Sequence, residues 1–427
     1  MISIYKFLTN AFYPFFILFT FLRKLKKKED SFRYKEKIFT SSFNIIRNKN
    51  TKLIWFHAAS VGEMNSIVPI INELNKKNNN FEFLITTVTL SSGNLIKSKF
   101  SNLHNIHHRY FPLDVNFLTR EFINKWKPNV VFFVDSEVWP NLIINLHESG
   151  IPISIINARI TKKTFERWIM FKKTAKLIFS KFKLFLASNK ETINYLRELG
   201  AKNIVYNGNI KLLSEIEINK IDNINKEFLK KKKFWLAAST HNGEEDFCVK
   251  THLLLKAEFG KLITLIAPRH INRANNIKSL CESYNLNTQI LDKNDLIKDK
   301  SEIIIINSFG VLNEFYKYAL SVFIGKSTLK AMQRVGGQNP IDAAKLGCKI
   351  YHGPFIYNFS EIYEILNNFK ISKQVNSPKE LSNYLKQDLS QEKIIKSDIV
   401  SQINNLSNET LKITMSNINK FILNETL

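Results

Sequence analysis

From Lys52 onward the chain repeats one arrangement of apolar and polar positions. A short run of consecutive apolar residues is followed by a longer stretch whose apolar positions fall three or four apart. KLIWFHA (52–58) precedes 61–76, FEFLITTVTL (81–90) precedes 91–100, and VVFFVDSE (130–137) precedes WPNLIINLHESG (139–150). ISIINAR (153–159) precedes 162–180, and LFLAS (184–188) precedes KETINYLRELG (190–200). Continuous apolar runs, as opposed to alternating ones, predict parallel strands buried on both faces, and the helical spacing predicts the helices that cover them. A polar, Asn- and Lys-rich segment at 212–233 interrupts the pattern, which then restarts with FWLAAST, LITLIAPR, EIIIINSFG, SVFIGKS and CKIYHGP.

The expected fold class is therefore α/β, with two Rossmann-like domains facing a central cleft, the architecture of GT-B glycosyltransferases and related sugar-nucleotide enzymes. The first domain is assigned to 29–211, the connection to 212–233 and the second domain to 234–427. Residues 1–28 precede them as a membrane anchor with a basic juxtamembrane segment. Within it, residues 7–22 are mostly apolar, lie between Lys6 and the cluster Arg23, Lys24, Lys26, Lys27 and Lys28, and are short for a spanning helix. The trailing positive charges predict that the rest of the chain stays on the cytoplasmic side, held beside an anionic leaflet.

Composition narrows the chemistry. The 62 Lys and Arg against 37 Asp and Glu give a formal charge of +25, which implies attraction to polyanions such as anionic lipid or phosphorylated substrates. Spread over polar surfaces, this charge is a weak pointer to nucleic acid, and none is expected as a partner. Cys248, Cys281 and Cys348 are widely separated and odd in number, which argues against a disulfide framework or a zinc site. Neither half carries G-x-G-x-x-G or G-x-x-x-x-G-K-[ST], so dinucleotide redox and P-loop chemistry lose ground.

The residues with chemical potential fall where predicted strands end. Ser60-Val-Gly-Glu63 has capping-box spacing, in which Glu63 would do no more than cap its helix; the alternative is a base at the ligand-binding end of a strand. Asp135 and Glu137 follow another strand, and Lys211 ends NGNIK at the last strand of the first half. In the second half Ser239, Thr240 and Glu244 repeat the strand, cap and Glu order. Pro268 and Arg269 close a strand where a guanidinium can fork two phosphate oxygens. In GGQNPIDAAKLG, Gly336 and Gly337 allow close backbone approach. Asn339-Pro340 starts a helix whose first amides could hold an anion, and Asp342 could accept from a ribose diol or simply favour the helix dipole.

In order along the chain, HAASVGE, ITTVTLSSG, YFPLD, DSEVWPNLI, INARIT, NGNIK, ASTHNGEE, APRHINR, FIGKS, GGQNPIDAA and GPFIYNF resemble the 3-deoxy-D-manno-octulosonic acid (Kdo) transferases. The resemblance implies an inverting transfer of Kdo from CMP-Kdo to a lipid A precursor, lipid IVA, in lipopolysaccharide biosynthesis, with no metal or other cofactor. It implies Glu63 as general base and Asp135 and Lys211 as transition-state stabilisers. CMP would be held by Pro268 and Arg269, by Gly310, Val311 and Leu312, and by Asn339, Pro340, Ile341 and Asp342, with Ser239, Gly337 and Gln338 as additional contacts. Four positions depart from the family pattern: Gln338 replaces a typical His, Asp342 and Asp135 each a typical Glu, and Lys326 a typical Gly. The rival readings are a GT-B enzyme with another donor, and a membrane-tethered polyanion-binding protein.

Overall fold

The computed structural model describes residues 1–44, 47–48, 50–77, 80–390 and 394–426. The chain forms two compact units, Met1–Glu215 together with Ser407–Leu427, and Ile216–Leu406.

Among the described residues, the first unit is built on a seven-stranded parallel sheet in the order β3-β2-β1-β4-β5-β6-β7. Its strands are β1 (Lys52–His57), β2 (Phe81–Thr87), β3 (Ile106–Tyr110), β4 (Val130–Val134), β5 (Ile153–Ala158), β6 (Leu184–Ala187) and β7 (Ile204–Tyr206). The two-fold period of each strand divides its side chains between two cores: Leu53, Trp55, Val131 and Phe133 lie on one face, and Ile54, Phe56, Phe132 and Val134 on the other. Both faces are apolar because helices cover both, which is what the unbroken runs anticipate.

The second unit repeats the plan, with strand order β10-β11-β9-β8-β12-β13-β14 among the described residues. These strands are β8 (Phe234–Thr240), β9 (Ile263–Pro268), β10 (Thr288–Leu291), β11 (Ile303–Ile306), β12 (Ser321–Ile324), β13 (Lys349–His352) and β14 (Ser372–Gln374). The 212–233 segment, expected to connect the domains through one helix, divides at residue 215. Residues from Ile216 on belong to the second unit, and the helix is Lys226–Lys231.

The far C-terminus departs from the expected boundary. Residues from Ser407 on belong with the first unit, although 234–427 was assigned to the second domain. The reason is a stripe on the helix Ile394–Thr426: Met415, Ile418, Phe421 and Ile422 are buried in the first unit's core, with Phe421 5.5 Å from Phe132. Thr414 accepts a hydrogen bond from the buried Asn207 at 2.8 Å.

The N-terminal apolar segment forms two helices, Ile2–Ala11 and Tyr13–Leu25, bent by 56°. Pro14 stands in the first turn of the second helix and cannot donate back into the first, which places the break there. Among the described residues no single helix is long and apolar enough to cross a membrane, whereas this bent pair passes by length and composition. One face is fastened to the first unit: Tyr5 donates to Asp114 at 2.9 Å, Tyr13 to the Ile38 carbonyl at 2.5 Å, and Asn141 to Thr9 at 3.0 Å. Phe7, Phe12, Phe15, Leu18, Leu22 and Leu25 are exposed on the pair.

Candidate active site

In an open parallel sheet, ligands bind beyond the carboxyl ends of the strands, where the chain switches winding direction. In the first unit that point lies between β1, which turns toward β2, and β4, which leads the other way. Glu63 follows β1 and Asp135 follows β4, so topology alone brings both to the switch point.

Glu63 sits in the first turn of the helix Val61–Lys77. Its amide donates a 3.3 Å bond to the Ser60 hydroxyl oxygen, as the capping box requires. The reciprocal half differs: the carboxylate accepts from the Ala59 amide at 2.7 Å, one residue before the cap, and from the Ser60 hydroxyl at 2.7 Å. Both expected roles are thus compatible, since the carboxylate closes the turn with only two donors. Burial, reinforced by the Asp135 and Glu137 charges, pushes the Glu63 carboxyl up to about 7 against the opposing pull of those two bonds.

Around it lies a row of charged and polar groups. Lys211 donates to Asp135 at 2.7 Å. Asp135 also accepts from the side-chain amide of the buried Asn157, whose carbonyl oxygen accepts from the Ile210 amide at 3.0 Å. Beyond Asp135, Glu137 accepts from the Trp139 indole at 2.8 Å and lies 3.4 Å from Nε2 of the buried His57. Burial would raise the Glu137 carboxyl, but His57 and Trp139 outweigh it and hold it below the usual range. Asp135 and Glu137 are therefore each paired with other side chains, while Glu63, whose carboxyl is raised, is held by one hydroxyl and one amide donor.

In the second unit the switch point lies between β8 and β12. Glu244, in the first turn after β8, is fully buried. It accepts from the amides of His241 (2.9 Å), Lys326 (2.6 Å), Ser327 (2.8 Å) and Thr328 (3.0 Å), and from the Thr328 hydroxyl (3.0 Å). It thereby ties the loop after β12 to the helix after β8. Gly325 must lack a side chain there, since a Cβ would stand 2.7 Å from the Ser239 carbonyl. Ser239 and Lys326 leave their strands with positive φ, 57° and 59°.

The other expected nucleotide contacts gather on the same edge of this sheet. Pro268 and Arg269 end β9, with the Arg269 amide bound to the Thr240 carbonyl at 3.0 Å and its side chain exposed. Gly310, Val311 and Leu312 follow the neighbouring β11, Gly310 with φ 79°. Gly337 donates to the Lys326 carbonyl at 2.7 Å, and the Gln338 carbonyl accepts from Tyr363 at 3.1 Å, which fixes the segment leading to Asn339, Pro340, Ile341 and Asp342. The helix expected at Asn339-Pro340 is only Ile341–Lys345, and Asn339 itself accepts from the Ile341 amide at 3.0 Å. One of the amides expected to hold an anion is thus already engaged. Burial pushes the Asp342 carboxyl up, with Lys345 pulling the other way.

Three parts of this arrangement escaped the reading of the sequence: the Asn157 link, the His57–Glu137 contact, and the five-donor role of Glu244. Asn157 had a signal, an amide inside the mostly apolar strand run ISIINA, but its bonding partners had none.

The model of the family described as "3-Deoxy-D-manno-octulosonic-acid transferase (kdotransferase)" matches residues 33–214, which hold Glu63, Asp135 and Lys211. A 3-deoxy-D-manno-octulosonic acid transferase of Rickettsia bellii is 31% identical over 90% of this chain and 90% of its own. Its counterpart in Haemophilus influenzae is 30% identical over 76% of each chain. A solved glycosyltransferase from Rickettsia africae superposes with a TM-score of 0.56, at 13% identity over 88% of this chain and 99% of its own, a likeness of fold that fits the GT-B class. With a relative this similar along nearly its whole length, the chain belongs to the 3-deoxy-D-manno-octulosonic acid transferase family of glycosyltransferases.

Proposed function

We propose that the protein transfers Kdo from CMP-Kdo to a hydroxyl of a lipid A precursor, with inversion at the anomeric carbon. The observation that carries this reading is Glu63, a carboxylate with two donors and a raised pKa at the switch point of the first unit. A base must hold its proton loosely enough to release it and firmly enough to take it, which favours a pKa near the working pH. Glu63 takes the proton of the acceptor hydroxyl while its oxygen attacks the anomeric carbon in line. The new C–O bond forms as the bond to the phosphate oxygen breaks, and CMP leaves with that electron pair. Lys211, held by Asp135, meets the negative charge that develops on donor groups. The second unit holds the nucleotide, with the Arg269 guanidinium on the phosphate and Asp342 accepting from the ribose diol, whose hydroxyls would offset the cost of burying that carboxylate.

The acceptor's lipid character fits an N-terminal helix pair that is pinned to the first unit on one face and apolar on the other. We infer that the pair lies in the cytoplasmic face of the inner membrane, with its basic end against anionic headgroups. Replacing Phe7 and Phe15 by Ser should release the protein from anionic vesicles while leaving it folded. Deleting residues 1–22 is a poorer test, because it also removes the Tyr5–Asp114 bond.

The decisive assay incubates the full chain with CMP-Kdo and a tetra-acylated lipid A precursor and reads the lipid by mass spectrometry, beside Glu63→Gln. Kdo-sized increments with the wild type and none with the variant are expected. An unmodified lipid from a folded protein whose ligand is displaced by UDP and not by CMP would overturn the donor assignment.

A further inference from the structure

Among the described residues, those with positive φ outside glycine fall into two groups. Lys127, for example, occupies the C-cap of the helix Asn116–Trp126, an ordinary place for a left-handed residue. Asp135, Asn157, Ser239 and Lys326 instead lie in or just beyond strands on the ligand side of the two sheets. Asn157 is the one of these that is fully buried inside a strand.

Its placement is visible in the core. Ile153 and Ile155 face one cluster and Ile156 the other, so regular alternation would put Ala158 with Ile156. Ala158 packs with Ile155 instead, and the β5–β6 register shifts between Ile155 and Ala158. The extra residue is a bulge at Asn157, φ 56°, a device that re-aims a side chain. Among residues with a side chain, Asn is one of the few that tolerate this conformation.

Only one orientation of the amide satisfies both neighbours, with –NH2 toward the Asp135 carboxylate and C=O toward the Ile210 amide. The two partners belong to the two segments that must meet: Asp135 follows β4, and Ile210 immediately precedes Lys211. Lys211 then closes the triangle on the second Asp135 oxygen at 2.7 Å. Without Asn157, nothing else among the hydrogen bonds described joins the Asp135 side chain to the 209–211 backbone.

We propose that Asn157 is a positioning residue for Kdo transfer: its side-chain amide sets the Asp135–Lys211 pair by bonding the Asp135 carboxylate and the Ile210 backbone at once. The proposal rests on the functional reading above. It predicts a residue that touches no substrate, binds no nucleotide, and acts only through the pair.

Glycine separates the backbone role from the hydrogen-bonding one, since Asn157→Gly adopts the same φ without strain while losing both bonds. The full-length variant should keep its melting temperature within a few degrees and its KM for CMP-Kdo within about two-fold, while kcat falls about 10- to 100-fold. In a Lys211→Met background the same substitution should cost less than about three-fold, because the pair it serves is gone. Asn157→Asp keeps an acceptor for Ile210 but sets a carboxylate against Asp135. Together with Glu63 and Glu137, and opposed by Lys211, it should move the acid limb of kcat/KM upward by about half a pH unit or more. Wild-type kcat in Asn157→Gly, or an equal loss in the Lys211→Met background, would overturn the proposal. A readout independent of activity is the acetylation rate of Lys211, followed by peptide mass mapping with acetic anhydride. It should rise several-fold in Asn157→Gly, and an unchanged rate would count against the positioning role. A wild type that transfers no Kdo would sink the functional reading, and the labelling rate would still decide the role of Asn157.

Discussion

Glu63 and Glu244 occupy the same place in two copies of one architecture. Each stands in the first turn of the helix that follows the first strand of its sheet, beside the point where the strand order reverses. Each follows a Ser or Thr in sequence, and on residue type alone they are interchangeable. What separates them is the number of donors. Glu244 accepts five hydrogen bonds, four from backbone amides, and its lone pairs are spent holding the loop after β12. Glu63 accepts two and faces other carboxylates, so its charged form is poorly supported and its proton affinity rises. The donors that the local backbone turns toward each carboxylate thus set Glu244 as a structural tie and leave Glu63 free for the role of base that we propose.

The sharpest break of this symmetry is in activity. Glu63→Gln should lower kcat about 10³-fold, read by single-turnover product formation, with CMP binding unchanged by calorimetry. Its stability should behave in the opposite sense. The raised pKa means that ionised Glu63 burdens the folded state, so its contribution is most favourable below pH 4.5 and is lost as pH rises through about 7. The Gln variant should therefore match the wild type near pH 4.5 in urea unfolding and exceed it by about 1–3 kcal/mol at pH 8.

Glu244→Ala should do the reverse. Stranding four amides and a hydroxyl costs about 3–5 kcal/mol in the same unfolding experiment, and CMP affinity falls because the loop carrying Lys326 is released. Lys211→Met should reduce kcat about 10²-fold with little change in stability, as expected of a partly exposed ion pair, side chains 22% and 15% accessible. The smallest effect belongs to Lys326→Gly. Relief of a left-handed backbone should stabilise the protein by about 1 kcal/mol, while loss of a cation at the switch point weakens CMP binding a few-fold at low salt.

How much of this was legible beforehand follows from burial. The inner strands announce themselves as unbroken apolar runs because helices cover both their faces. The edge strands β3, β10 and β14 passed unread: IHHRY, TQIL and SKQ are half-polar, since one side has no neighbour to satisfy. The strand-end positions of Glu63, Asp135 and Arg269 were readable from the same runs, whereas Lys211, expected at the last strand of the first half, lies in the 3-10 helix Ile210–Leu213 beyond β7. The Asn157 link was not, because a bulge and a positive φ depend on how β5 meets β6, which no spacing along the chain encodes. The return of residues 407–427 to the first unit was hidden likewise, since an apolar stripe shows that a helix is buried without showing against what.

The difference between the two glutamates is tested most directly by the pH dependence of kcat/KM for Kdo transfer, measured from pH 5 to 9 in the wild type. An acid limb with a midpoint near 7 is predicted, as Glu63 loses its proton and becomes competent to accept another. A rate that is flat down to pH 5 would contradict the account, because the group that accepts the proton would then not be the raised carboxyl of Glu63.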